Sequence, residues 1–187
     1  MIKAIITDFD GTLVDTFEAN FLAYQRAFED IGKSITREQY HQCFGYRFDS
    51  FMQAMGVDNE RDVNLIKEAK RKYYPEYFHC LKKNAALIQL IACFHALGGK
   101  SAIVSTARKE NLMNAVNYLG ISQHFDHIFT GIDVKKGKPD PEIYFKAMDA
   151  LNVSPESTLI FEDSQVGIEA AKASGANFLI VSPKQFE

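Results

Sequence analysis

Beyond Asn84 the chain alternates short apolar runs with helix-length amphipathic ones, and few architectures accept that order. Ala85–Leu97 reads as an apolar helix stopped by Gly98-Gly99, Ser101–Val104 as a strand, Glu110–Leu119 as a helix ended by Gly120, and Phe125–Phe129 as a short strand. Pro141–Leu151 reads as a helix with proline in its first turn, and Thr158–Phe161 as a strand. Ser164–Ser174 then reads as a helix with a serine cap and a terminal Gly175, and Asn177–Val181 as the last strand. A further strand, Ile2–Thr7, stands alone at the start. Its compact β-branched run suits the centre of a parallel sheet, buried on both faces. The expectation is an α/β fold, a Rossmann-like open parallel sheet with helices on both sides.

Between that first strand and the alternation the pattern is helical. Phe17, Phe21, Tyr24 and Phe28 recur on one helix face, Gly32 ends the helix, and Thr36 caps the next. Further helical pieces run through Phe51–Met55 and Glu60–Phe78. The segment reads as an inserted α-helical cap over 16–80, with 1–15 and 81–187 forming the catalytic core. A length of 187 residues suits a core domain plus a small insert. A net charge of -3 without a basic run argues against nucleic acid as a main partner. No apolar run approaches the ~18 residues of a membrane span. Cys43, Cys80 and Cys93 are odd in number and form no CxxC pair, so neither a disulfide framework nor a zinc site is expected. The five histidines lack metal-ligand spacing. With no signal peptide visible, a cytoplasmic protein is expected, as a monomer or weak dimer.

Several expected strands end in polar residues: Asp8-Phe9-Asp10, Ser105-Thr106 and Glu162-Asp163-Ser164. The carboxyl ends of parallel strands share one edge, where ligands bind, so these groups can converge although distant in sequence. Asp8 and Asp10, two apart, can face one pocket. Two close carboxylates repel unless a cation or proton lies between them. Asp163 at a neighbouring strand end completes a hard oxygen site suited to Mg2+. One carboxylate can then attack phosphorus while the other protonates the leaving oxygen and later activates water. The phosphoryl group also needs a cation and donors. Lys138 offers the cation, in a loop stiffened by Pro139 and Pro141. Ser105 offers a hydroxyl, and Gly11 and Thr12 offer backbone amides. Taken singly, each motif is ordinary turn or helix-start chemistry; their conjunction, in this order, carries the reading. Gly131–Lys138 only superficially resembles a Walker loop: it has one residue too many between its glycine positions, and Pro139 replaces the required Ser/Thr.

These motifs resemble those of the haloacid dehalogenase superfamily, in the subgroup with a helical cap after the first strand, and the resemblance covers essentially the whole chain. Asp8-Phe9-Asp10-Gly11-Thr12-Leu13-Val14-Asp15-Thr16 is similar to the first motif, Ser105-Thr106 to the second, Lys138 to the third, and Glu162-Asp163-Ser164 with Gly167, Ala170-Ala171 and Gly175 to the fourth. The resemblance implies a Mg2+-dependent phosphatase acting on a small phosphorylated metabolite through an aspartyl-phosphate. Asp8 would be nucleophile and metal ligand. Asp10 would be general acid/base and offer its carbonyl to the metal. Asp163 would be a ligand, with Glu162 beside the ion or one step behind it. Ser105 and Lys138 would hold the phosphoryl oxygens, with Gly11, Thr12 and Thr106 around them. Dehalogenase and phosphonatase branches lack an acid at the place of Asp10, so its presence points to phosphomonoesters. The closest-looking branch includes β-phosphoglucomutase, on the run from Glu162 to Ile168. That enzyme has His in place of Asn20 and a Lys-Gly pair in place of Phe44-Gly45, and Arg47 meets its arginine only after a one-residue gap. A bisphosphate must be gripped at both ends, so a hydrolase is preferred, with the mutase as alternative. A non-catalytic phosphate-binding protein is the remaining alternative, against which the complete set Asp8, Asp10, Lys138 and Asp163 argues. Phe44, Gly45, Tyr46 and Arg47 are the candidate substrate-reading loop of the cap: a turn glycine, two aromatics and a cation.

Overall fold

The computed structural model describes residues 1–182 and Phe186. Strand β1 (Ala4–Thr7) is followed by β2 (Val14–Asp15), then by the helices α1 (Phe17–Glu29), α2 (Arg37–Gln42), α3 (Phe48–Ala54) and α4 (Glu60–Tyr73). The chain returns through β3 (Lys82–Lys83), α5 (Ala85–Ala96), β4 (Lys100–Ser105), α6 (Lys109–Leu119) and β5 (His127–Thr130). It continues through α7 (Glu142–Leu151), β6 (Thr158–Glu162), α8 (Gln165–Ala173) and β7 (Asn177–Ile180). Two compact units result: Met1–Asp15 with the chain from Lys82 onward, and Thr16–Leu81. No helix among the described residues is long and apolar enough to cross a membrane.

The α/β unit is built on a five-stranded sheet in the order β5-β4-β1-β6-β7, every pair parallel. Ile6 lies level with Ala102 on one side and Ile160 on the other. Because side chains alternate along a strand, Ala4, Ile6, Ala102, Val104 and Ile160 share one face. They form one core with Ile143, Tyr144, Ala147, Met148 and Leu151 of α7. All four residues of β1 are buried, as a strand flanked on both sides should be. The winding runs outward from β1 to β4 and β5, then restarts at β6 on the opposite side of β1. Such a reversal of winding marks the carboxyl ends of β1 and β6 as the usual ligand position of an open α/β sheet.

The second unit packs its helices around Phe21, Phe28, Tyr40, Phe51, Met52 and Ile66. The α2 start is a capping box: Thr36 Oγ1 accepts from Gln39 N at 3.2 Å, and Gln39 Oε1 accepts from Thr36 N at 2.8 Å. One reading is corrected here. The helix expected over Glu60–Phe78 stops at Tyr73 and passes into a 3-10 turn, Tyr74–Cys80. Pro75 lacks the N–H an α-helix needs and its ring crowds the preceding turn. Other bounds shift: the first strand begins at Ala4 instead of Ile2, the third at His127 instead of Phe125, and Pro141 is the N-cap of α7. The two-residue strands β2 and β3 pair antiparallel, Val14 with Lys83 and Asp15 with Lys82, and are too short to leave a periodic signal.

Candidate active site

The first wall is the turn after β1. Asp8 leaves the strand still paired, its N–H donating to Phe161 O of β6 at 3.0 Å. Gly11 then adopts φ +91°, and its N–H donates to Val14 O at 2.8 Å. Leu13 and Val14 both donate to Phe9 O, at 3.2 and 3.0 Å, closing the turn over the buried Phe9 and Leu13. The glycine is required twice: L side chains rarely adopt its φ, and a Cβ there would fall on the Asp163 carboxylate. The Gly11 amide, expected to face a phosphoryl group, is thus engaged within the turn. Asn84 ties the same turn from below, its Nδ2 donating to Thr12 O at 3.2 Å while its Oδ1 caps α5 at Leu87 N, 3.1 Å.

The second wall is the end of β6 and the start of α8. Glu162 is fully buried. Its Oε1 accepts from Lys138 Nζ at 2.5 Å and from Tyr144 OH at 2.6 Å; its Oε2 accepts from Asp163 N at 3.1 Å and Ser164 Oγ at 3.4 Å. Those four donors match the roughly four acceptor sites of a carboxylate. A Cβ on Gly167 would run into the same carboxylate, so the helix start must be glycine there. Asp163 Oδ1 accepts from the buried Thr12 hydroxyl at 2.7 Å. Thr12 therefore contributes through its side chain.

The loop before α7 supplies the cation. Lys138 is buried and bridges Asp8 Oδ1, at 2.6 Å, to Glu162 Oε1. The loop is held by Glu142, whose two carboxylate oxygens accept from Lys135 N at 2.9 Å and Lys136 N at 2.8 Å. Those bonds hold the Glu142 carboxyl below its ordinary range. Asp140 N donates to Gly137 O at 3.0 Å, and the Lys138–Pro139 peptide is cis. At the end of β4, Ser105 Oγ donates to Asp10 Oδ2 at 3.0 Å and accepts from Ala107 N at 3.0 Å. Thr106 follows, half-buried. Asp8, Glu162, Asp163, Lys138 and Thr12 thus meet in one place, with Asp10 and Ser105 paired beside them. Phe44, Gly45, Tyr46 and Arg47 belong to the helical unit. There Phe44 packs on Phe17 and Tyr40 at centroid distances of 5.4 and 5.9 Å, Gly45 takes φ +88°, Tyr46 is exposed, and Arg47 is the N-cap residue of α3.

The electrostatics call for a cation. Burial pushes the Asp8 carboxyl well above its ordinary range; Lys138 opposes, while Glu162, Asp163 and Asp10 reinforce it. Burial likewise lifts Asp163 to about 6, against the Thr12 hydrogen bond and with Glu162 adding to the rise. Burial alone would lower Lys138, but Asp8 and Glu162 hold its ammonium well above the ordinary value. One ammonium among several carboxylates leaves excess negative charge in a buried space. Carboxylate oxygens of Asp8, Glu162 and Asp163 lie within 4.8 Å of one another, a hard-oxygen set that fits a divalent cation. Glu162 already has its acceptor sites engaged by the protein, whereas Asp8 and Asp163 each engage one oxygen through the bonds described.

Sequence reasoning did not find Tyr144, Glu142 or the Asn84 tie. Tyr144 carried a usable signal: a tyrosine on the apolar face of a helix buries a hydroxyl that needs a partner. Glu142 carries no such signal, because an acid in the first turn of a helix is ordinary.

Comparisons with known proteins place the chain in a family and a fold. A family model described as haloacid dehalogenase-like hydrolase matches residues 5–181. A phosphorylated carbohydrates phosphatase of Thermotoga maritima is 32% identical over 180 residues, spanning 93% of this chain and 82% of its own. A β-phosphoglucomutase of Bacillus subtilis is 28% identical over 188 positions, spanning 93% and 80% respectively. The solved structure of CbbY from Rhodobacter sphaeroides in complex with phosphate matches with a TM-score of 0.87 at 26% identity, over 96% of this chain and 86% of that one.

Proposed function

The chain belongs to the haloacid dehalogenase-like hydrolases as a phosphoric monoester hydrolase, and we propose that it works in two steps through Asp8, with Mg2+, on a small phosphorylated metabolite such as a sugar phosphate. The observation that carries this reading is the meeting of Asp8, Lys138 and Asp163, from three separate stretches of chain, at the carboxyl ends of β1 and β6. In the first step an Asp8 oxygen forms a bond to phosphorus as the ester P–O bond breaks, and the leaving oxygen takes the Asp10 proton. In the second, Asp10 removes a proton from water, the water oxygen bonds to phosphorus, and the Asp8–phosphorus bond breaks to release phosphate. Ser105 orients Asp10 through its hydrogen bond, and Lys138 holds a phosphoryl oxygen. Asp8 and Asp163, with the Asp10 carbonyl, would hold the Mg2+, which supplies charge neutralisation to the entering phosphoryl group. Glu162 stands behind them as the support of Lys138 and of the Asp163 amide.

None of these residues reads the leaving group. Phe44, Gly45, Tyr46 and Arg47 are our candidates for that task; Arg47→Ala should raise KM for the best metabolite and leave KM for a small aryl phosphate within about twofold. The similarity to a β-phosphoglucomutase favours a second reading, isomerisation by phosphoryl transfer. The deciding experiment is a screen of the purified protein against sugar phosphates, phosphoglycolate, nucleotides and pyrophosphate, with Mg2+ and with excess chelator. Phosphate release that stops on chelation supports the hydrolase. Conversion of β-glucose 1-phosphate to glucose 6-phosphate outpacing phosphate release would replace it with the mutase. Full activity in chelator would overturn the Mg2+ assignment.

A further inference from the structure

A lysine ammonium has three donors on a flexible stem, so its place in a site is set by whatever accepts from it. Here the acceptors are Asp8 Oδ1 and Glu162 Oε1. Glu162 is itself pinned: Oε2 by Asp163 N and Ser164 Oγ, and Oε1, besides the lysine, by Tyr144 OH at 2.6 Å. Tyr144 has no solvent exposure and its ring belongs to the core under the sheet, so its hydroxyl is aimed by packing. The same ring lies 5.4 Å from Lys138 Nζ, closing that side of the ammonium. We propose that Tyr144 is a positioning residue: by holding Glu162 Oε1 it divides the Lys138 ammonium between Glu162 and Asp8, and so fixes where a phosphoryl oxygen is met. Without the hydroxyl, Glu162 Oε1 has the ammonium as its one described donor, and Lys138 is drawn toward Glu162 and away from Asp8.

The inference rests on the hydrolase reading, and its test separates the two. Tyr144→Phe keeps the ring and removes only the O–H; Tyr144→Met is a second variant that can repack the same space. Each is measured for turnover of p-nitrophenyl phosphate, for orthovanadate binding by calorimetry, and for Mn2+ binding by electron paramagnetic resonance. The expected result is a kcat about tenfold lower and a vanadate affinity about fivefold lower, with Mn2+ affinity within about twofold of the parent. Turnover and vanadate binding within about twofold of the parent would overturn the proposal. So would a parallel loss of Mn2+ affinity, because Tyr144 would then serve the metal ligands. If the parent protein turns over no phosphate ester, the hydrolase reading fails by itself, and the vanadate and Mn2+ comparison still decides the role of Tyr144. Should one variant misfold, the other decides.

Discussion

At Asp8 two demands conflict. Burial raises its carboxyl well above the ordinary range, yet the proposed attack on phosphorus needs the carboxylate. Lys138 at 2.6 Å resolves part of the conflict and a divalent cation would resolve the rest. Asp8→Asn should lower turnover by at least about a thousandfold, because an amide cannot form the acyl phosphate. Asp10→Asn should be nearly as damaging but leave phosphorylated Asp8 detectable by intact-protein mass spectrometry. Near-normal turnover in the Asp8 variant would end the two-step scheme. Asp163 gives the matching pH argument. Its folded value, about 6, stands above the ordinary 3.8, so the folded protein binds more protons than the unfolded one between those limits. The metal-free protein therefore loses stability as pH rises from about 4 through 6, by about 3 kcal/mol at most from this group. Mg2+ should raise the melting temperature by several degrees at pH 7.5 and much less at pH 5, measured by calorimetry; equal shifts at both pH values would contradict it. Of these residues, Asp8, Asp10 and Asp163 stood out in the sequence because they are acids at the ends of apolar strand runs, and Lys138 because it is a cation in a proline-stiffened loop before a helix. Tyr144 and Glu142 did not, since their roles depend on which carboxylate or amide the fold carries to them.

Elements were legible where a period and a stop signal agreed. α6 ends at Gly120, which takes the left-handed conformation at φ +65°, and α8 begins at Ser164, whose Oγ accepts from Gly167 N at 3.1 Å. The strand-helix alternation gave the parallel sheet, and the buried run at β1 its central place. The helix around Pro75 and the two-residue strands were harder, because in one case a single residue overrides a good period and in the other there is no period to see. The loop between β5 and α7 shows how an element can serve chemistry without touching it. Glu142, the first residue of α7, takes two successive backbone amides of the loop that carries Lys138. Charge-assisted bonds to both oxygens fix the loop's path more narrowly than its prolines alone. Glu142→Ala should lower kcat about fivefold and also lower the melting temperature by a few degrees, since the loop that carries Lys138 loses both of its acceptors. Glu142→Gln, which retains one acceptor oxygen, should recover part of the loss. A melting temperature that fell while kcat stayed at the parental value would assign Glu142 to stability alone.

At the scale of the whole molecule the insertion has a defined doorway. Val14 and Asp15 pair antiparallel with Lys83 and Lys82, so the chain leaves the α/β unit and re-enters it at directly opposed residues. Each unit also has its own apolar core: one under the sheet around Ile6, Tyr144 and Ile160, the other around Phe28, Tyr40 and Phe51. These facts predict that the helical insert can be removed without unravelling the sheet. Replacing Thr16–Leu81 by Asn-Gly would join Asp15 to Lys82 through a two-residue turn, the connection that matches the twist of paired antiparallel strands. The shortened protein should fold cooperatively, with circular dichroism showing helix loss in proportion to the excised helices. It should keep Mg2+-dependent release of phosphate from p-nitrophenyl phosphate, because Asp8, Asp10, Ser105, Lys138 and Asp163 all lie outside the excised segment. Selectivity should collapse: kcat/KM for the best metabolite should fall about a hundredfold, against about tenfold for the aryl ester, as binding energy from the leaving group is lost. If both substrates fall by the same factor, the insert contributes nothing to choosing the leaving group, and specificity must be sought within the α/β unit. If the shortened protein does not fold, the two cores are interdependent and the paired strands are not a sufficient closure.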